Sequence, residues 1–398
     1  MYPDDVNVKI LHATQTNDLD TIQKYRSVSW GKVRYDKTGD TVLHVAARLG
    51  YADLLKYFLE TASPDVKNKD DKTPLHEAAQ FSRSDIVNIL LEHGAEVNAL
   101  KRSDWTPLML ACTKLTDSSY KCVELLLQNR ALINAENKDG WSALHLISRE
   151  GCEEIFKLLC KYGLDVFAVT KNGRSALHIA SLHGNLDIVK MLLHLGLPVD
   201  NVDNCGNTPL HESVLGSSLS VFHCLLSSDA DLHAVNNIGC SAMHLAASVG
   251  CLPIIRYLAQ NSIDVNSASF TNKLTPLHYA ARKRQRKAVD LLKQLGANEV
   301  MDNFGRSGKR NDGRATNSTL VIQAATAQTT ITNDDLLNVQ VKTCEQLYPP
   351  YWTPVQCTIF FDRSIRGAEV RLAADSESAS IQTSHLLRKP RKCPTPLR

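Results

Sequence analysis

Thr73-Pro74-Leu75-His76 returns as Thr208-Pro209-Leu210-His211 and Thr275-Pro276-Leu277-His278, and in five looser copies between and before them. Its fourth position falls at His44, His76, Met109, His145, His178, His211, His244 and His278, with gaps of 32, 33, 36, 33, 33, 33 and 34 residues. A stride this regular marks one small unit copied along the chain. Such a unit cannot bury its apolar face alone, so it is stable only when stacked on its neighbours.

One copy, Lys171-Asn172-Gly173-Arg174-Ser175-Ala176-Leu177-His178-Ile179-Ala180-Ser181, contains the local grammar. Asn172-Gly173 is expected to supply the positive-φ conformations of a tight turn. Thr208 is placed to cap a helix that starts at Pro209, where a missing amide costs nothing. A short helix follows, passing through Ala46-Ala47, Ala78-Ala79, Ala246-Ala247 or Ala280-Ala281, small enough for close approach between neighbours. Gly50, Gly151, Gly184 and Gly250 then fit left-handed helix ends. A second helix carries apolar residues on one face, as in Ile188, Val189, Met191, Leu192 and Leu193. Period and signature together are those of an ankyrin repeat array: an all-α solenoid of helix-turn-helix units with hairpin loops.

The boundaries follow from where the grammar fails. Residues 1–35 read as a degenerate N-terminal capping repeat, and 36–300 hold eight ankyrin repeats. Residues 301–307 begin a further repeat, but Gly308-Lys309-Arg310-Asn311 stands where Leu-His is due. Residues 308–398 read as a low-complexity, mostly disordered tail with one apolar stretch from Tyr351-Trp352 to Phe360-Phe361.

Charge and composition narrow the function classes. The 398-residue chain has a net charge of +3. From residue 301 onward there are 13 basic against 9 acidic side chains, which leaves the first 300 residues close to neutral. That balance argues against direct binding of nucleic acid. Eleven cysteines are scattered without metal-ligand spacing and read as buried reduced thiols. No apolar run approaches the ~20 residues that span a bilayer. The start, Met-Tyr-Pro-Asp-Asp, lacks the pattern of a secretory leader. A cytoplasmic monomer with a second, nuclear address is expected, with no metal and no cofactor. Seven anchor histidines one repeat apart, roughly 10 Å, cannot share a metal at a bond length of about 2 Å, and read as framework. No phosphate-binding, nucleophile-elbow or zinc-protease motif is present, so the expectation is a protein without catalysis.

In such an array the hairpin tips and inner helices are free to vary, and binding surface is expected there. The position before the Thr/Ser anchor reads Asp40, Lys72, Trp105, Trp141, Arg174, Asn207, Cys240 and Leu274. Tryptophan in two successive units either anchors a partner or packs on the neighbouring hairpin. Lys101, Arg102, Asp104, Lys138 and Asp139 form a mixed-charge rim around the pair. About three extra residues between Lys114 and Lys121 lengthen the adjoining turn. A second feature is Arg282-Lys283-Arg284-Gln285-Arg286-Lys287, which reads as a nuclear-import signal, an acidic-partner patch or a solvated turn. Arg388-Lys389-Pro390-Arg391-Lys392 carries the same alternatives in the tail.

Several segments go beyond the generic repeat. Leu100-Lys101-Arg102-Ser103-Asp104-Trp105-Thr106-Pro107-Leu108, Asn137-Lys138-Asp139-Gly140-Trp141 and Ser148-Arg149-Glu150-Gly151 are three of them. With Asp203-Asn204-Cys205-Gly206 and Leu274-Thr275-Pro276-Leu277-His278-Tyr279-Ala280-Ala281, they resemble the ankyrin repeat domain-containing protein 16 family over about residues 36–307. The resemblance implies binding to alanyl-tRNA synthetase and a part in preventing serine mistranslation. It further implies capture of misactivated serine on lysine, for which Lys138 matches an acceptor position. A second acceptor position falls on Arg102 with Lys101 adjacent, and the third falls near Phe167, with Lys171 close by in sequence. A separate reading makes the array a substrate receptor of a ubiquitin ligase, since Cys393-Pro394-Thr395-Pro396-Leu397 is similar to a recruiting box.

Overall fold

The computed structural model describes residues 4–298, apart from Lys114, Asp117 and Asn272. Helices account for the regular structure of this region, in consecutive pairs. The first pair is α1 (Asp4–Gln15) and α2 (Leu19–Gln23). Then come α3 (Val42–Leu49) with α4 (Ala52–Leu59), α5 (Pro74–Gln80) with α6 (Ser84–Glu92), and α7 (Pro107–Ala111) with α8 (Ser119–Gln128). The middle of the array is α9 (Ala143–Glu150) with α10 (Glu153–Lys161) and α11 (Ala176–His183) with α12 (Leu186–His194). The last three pairs are α13 (Pro209–Leu215) with α14 (Leu219–Leu226), α15 (Ala242–Val249) with α16 (Leu252–Gln260), and α17 (Pro276–Arg282) with α18 (Arg286–Gln294). Extended pairing among the described residues is limited to isolated bridges in the hairpins, such as Lys101 with Trp105 and Val169 with Ser175.

Each first helix packs on the first helix of the next unit: α3 on α5, α5 on α7, α9 on α11, and so on to α15 on α17. A single apolar cluster runs from Ile10 to Leu292 through every pair. Ala46, Ala47, Ala78, Ala79, Ala246, Ala247 and Ala280 are buried, as close helix approach requires.

The anchor histidines complete the caps. In the first full unit the Thr41 N–H donates to His44 Nδ1 at 3.1 Å. An accepting Nδ1 leaves the proton on Nε2, which reaches the Lys72 carbonyl of the next unit at 2.8 Å. The same reach joins His76 to the Trp105 carbonyl at 3.1 Å, His178 to Asn207 at 2.9 Å and His244 to Leu274 at 3.2 Å. One side chain therefore closes its own helix and ties that helix to the next hairpin. Met109 replaces the imidazole once, and there Thr106 Oγ1 accepts from the Met109 N–H alone.

Hairpin tips are tied to each other by backbone bonds, one per step. The N–H groups of Lys69, Arg102, Lys138, Lys171, Asn204, Asn237 and Phe270 donate to the carbonyls of Thr38, Asp70, Ser103, Asp139, Asn172, Cys205 and Ile238, at 2.9–3.1 Å. The Asn172-Gly173 turn differs from the one expected, with positive φ at one residue and not at both. At Asn172-Gly173 only the glycine has positive φ, 72°. Gly173 N–H donates to Thr170 O at 2.8 Å, so Lys171 and Asn172 form the turn's centre and the glycine follows it.

Gly50, Gly151, Gly184 and Gly250 take left-handed helix-end conformations with φ of 75–85°. Where that glycine is missing, Ser82, Ser217 and Arg284 adopt positive φ at the turn between the two helices instead, at 54–56°. The readings for 301–307, for the tail 308–398 and for its two motifs, 388–392 and 393–397, lie outside the described residues.

Candidate functional site

The residues preceding the anchors form a column, because each hairpin is held in register on the last. At one end of the column the charges neutralise each other. Arg48 bridges Asp40 at 2.6 Å and Glu77 at 2.8 Å, Lys72 reaches Glu77 at 3.0 Å, and the Asn68 amide donates to Asp40 at 2.6 Å. Burial pushes the Glu77 carboxyl up, but Arg48 and Lys72 outweigh it and hold Glu77 below the usual carboxylate range. Asp40 is lowered in the same way, with Asn68 and Arg48 overcoming burial.

Further along, Arg174 bridges Glu212 at 2.6 Å and approaches Asp203 at 3.5 Å. Here burial wins. Glu212 is pushed up to about 7, because a single guanidinium offsets only part of the burial and Asp203 adds a like charge.

Trp105 and Trp141 stand between these two networks. Both are partly exposed and pack against the continuous core. The Trp105 carbonyl is fixed by His76, and the Trp141 N–H by Asn137 Oδ1 at 2.9 Å. The Lys101 ammonium lies 5.2 Å from the centre of the Trp105 ring, and the Trp141 ring lies 6.0 Å from that of His145. The two indoles thus share positions fixed in the backbone, with ionic neighbours already engaged on either side.

The rim residues divide by exposure. Lys138 and Asp139 are exposed on the hairpin of Trp141. Arg102 is exposed and pairs with Asp70 at 3.3 Å, while Asp104 is partly covered. Ser103 and Asp104 both take positive φ, 65° and 61°, without a glycine between Lys101 and Trp105. Lys101 is half-buried, and burial, followed by the nearby Lys72 charge, lowers its pKa. Of the third acceptor region, Phe167 is 60% exposed and has no amine of its own. The extra residues of the adjoining turn include Lys114 and Asp117, outside the described set, so only their flanks are seen. There Thr116 N–H donates to Ser119 Oγ at 2.7 Å.

Arg282, Lys283, Arg284, Arg286 and Lys287 lie at the turn between α17 and α18, well separated in sequence from the tryptophan hairpins. Among the described residues no group of three or more His, Cys, Asp or Glu could hold a metal ion, and no helix is long and apolar enough to cross a membrane.

Glu77 and Glu212 were not singled out by sequence reading. Both follow the anchor histidine directly, and each has a cation in the column before an anchor, Lys72 or Arg174. That pairing of positions was an available signal.

A stack of capped helix pairs, joined by hairpins and presenting a column of variable side chains, defines a repeat protein built for interaction. The family model for ankyrin repeats (3 copies) matches residues 10–101, 43–137, 99–170, 165–236 and 216–303, and the chain belongs to the ankyrin repeat family. Human BCL-6 corepressor-like protein 1 is 38% identical over 114 residues, 28% of this chain and 6% of that protein. The mouse B-cell lymphoma 3 protein homolog is 33% identical over 145 residues, 34% of this chain and 32% of that protein. The chain therefore spans at most about a third of either relative's length. The crystal structure of the human ASB11 ankyrin repeat domain is 30% identical with a TM-score of 0.47, over 51% of this chain and 90% of that one. Ankyrin repeats are modules that bind folded proteins.

Proposed function

We propose that the chain is a non-enzymatic adaptor that docks a folded protein on the surface centred on Trp105 and Trp141. The observation behind this reading is the arrangement of the column. Two partly exposed indoles occupy consecutive fixed positions, while the charges to either side neutralise one another within the chain. Large rigid aromatics in such a setting dominate binding energies, and ion pairs already closed contribute specificity at the edge. Lys101, Arg102, Asp104, Lys138 and Asp139 supply that polar edge. The particular partner is alanyl-tRNA synthetase, following the likeness of the 100–108 and 137–141 segments to ankyrin repeat domain-containing protein 16. The setting is cytoplasmic and nuclear, and the chain acts as a monomer in limiting serine mistranslation. Calorimetric titration of the full chain with the synthetase tests this. Trp105→Ala with Trp141→Ala lowers affinity at least tenfold while the helical circular dichroism signal is retained. Unchanged affinity rejects the placement.

A second reading has one observation in its favour. A half-buried ammonium beside a second cation gives up its proton more readily, and the free amine is the nucleophile. That describes Lys101, with Lys72 nearby. The neutral Lys101 amine would then attack the carbonyl of seryl adenylate made by the synthetase from serine and ATP, forming an amide, breaking the acyl–phosphate bond and releasing AMP and a proton, with Lys138 as a further acceptor. Mass spectrometry after incubation with synthetase, serine and ATP distinguishes the readings. A seryl adduct lost in Lys101→Arg supports capture, whereas no adduct at Lys101 or Lys138 leaves the adaptor alone.

A further inference from the structure

The cations between α17 and α18 are a folded surface. Arg282 ends α17, Lys283 follows it, Arg284 turns the chain at φ 56°, and Arg286 and Lys287 open α18. Arg282, Arg284, Arg286 and Lys287 are exposed, and among the described residues none of the four forms an ion pair. Burial and the neighbouring Arg282 charge both lower the pKa of Lys283. Asp290 is the nearest acid along α18, a single negative charge against five positive ones. The crowding is specific to this unit. The first turns of α4, α6, α10 and α12 carry Asp53, Asp85, Glu153 with Glu154, and Asp187; those of α8, α14, α16 and α18 carry no acid, and of these four only α18 opens on two consecutive cations, Arg286 and Lys287.

We propose that this turn is a second docking surface, separate from the tryptophan hairpins, and that its occupant is a short acidic peptide segment of a partner protein. Charge complementarity identifies the chemistry. Five like charges held within one turn repel each other and are relieved by clustered carboxylates. Extent identifies the macromolecule. A nucleic acid needs a basic track that follows its backbone. The corresponding turns of the preceding units are neutral, at Gly250-Cys251, Gly216-Ser217-Ser218 and Gly184-Asn185. The patch is one turn wide, which suits a few acidic side chains. Because Arg282, Arg286 and Lys287 belong to helices, the partner reads their arrangement in the folded state.

Fluorescence anisotropy of the full-length chain with a labelled peptide of ten Glu and Asp residues tests the proposal. The peptide binds and a Gln peptide of equal length does not. Raising ionic strength from about 0.05 to about 0.5 M weakens binding. Arg282→Gln with Arg286→Gln and Lys287→Gln weakens it at least tenfold with an unchanged circular dichroism spectrum. Trp105→Ala with Trp141→Ala leaves it unaltered, so this surface stands or falls apart from the first. Four outcomes overturn the proposal. They are no binding, binding indifferent to the triple substitution, an equal loss on neutralising the basic residues of 388–392, or tighter binding of a single-stranded DNA of matched charge.

Discussion

Glu77 and Glu212 occupy equivalent positions after an anchor histidine, yet they are shifted in opposite directions. The difference lies in the number of cations each carboxylate meets. Glu77 is held by Arg48 and Lys72, whereas Glu212 has Arg174 alone and a second acid, Asp203, nearby. A carboxyl raised to about 7 in the fold, against an ordinary 4.5, binds its proton more tightly folded than unfolded. Its contribution to stability is complete below pH ~4.5 and is lost as pH rises towards 7. In Glu212→Gln that loss is absent. Urea unfolding at pH 5 and pH 8 should show the variant gaining relative to the parent chain at the higher pH. A difference that is constant or shrinks would exclude a proton on Glu212. Sequence could flag both glutamates as neighbours of the anchor. It could not assign their ionisation, which depends on burial and on cations 5 to 38 residues away.

At the scale of the element, the hairpin tip decides whether units register. Gly140 has φ 76°, and a Cβ there would meet the Lys171 backbone nitrogen at 2.7 Å. That nitrogen donates to the Asp139 carbonyl in the hairpin ladder, so the added methyl strikes the contact that aligns two units. Gly94 has a similar φ of 78° but nothing within 4 Å of its would-be Cβ. Gly94→Ala therefore bears only the left-handed penalty, about 1–2 kcal/mol. Gly140→Ala adds a backbone clash and should cost about 2–4 kcal/mol. Equal losses in chemical denaturation would remove the ladder's assigned role. Much of this level was legible in sequence: Thr-Pro starts, alanine pairs and glycine ends all follow from local chemistry. The positive-φ Ser103 and Asp104 were not, because no glycine marks the turn and the hairpins on either side impose its path. The two tryptophans were legible as a pair. Their flanking ion networks were not, since those join residues of different units.

Across the whole molecule the anchors act together. His76, His145, His178 and His244 are each lowered to about 4, chiefly by burial, against an ordinary 6.5. The folded array keeps them neutral while the unfolded chain protonates them. Stability is complete above pH ~6.5 and declines as pH falls towards 4. Four such groups outweigh the opposite contribution of Glu212 in the same window. Denaturation midpoints should drop steadily from pH 7 to pH 5, and a flat or rising profile would deny the anchors their buried, neutral state. Units joined through the imidazoles of His44, His76, His178 and His244 unfold with their neighbours. That coupling was visible in the constant stride, and a neutral imidazole near the helix start is placed to bond both locally and to a neighbouring repeat; which hairpin carbonyl each one reaches needed coordinates. The same coupling gives the tryptophan column fixed positions for docking, and hydrogen–deuterium exchange can locate the docked surface. With alanyl-tRNA synthetase bound to the full chain, amides in 100–110 and 136–146 should gain protection while those of α4 and α10 stay unchanged. Protection confined to the second helices, or none at the two tryptophan hairpins, would contradict a partner surface at Trp105 and Trp141.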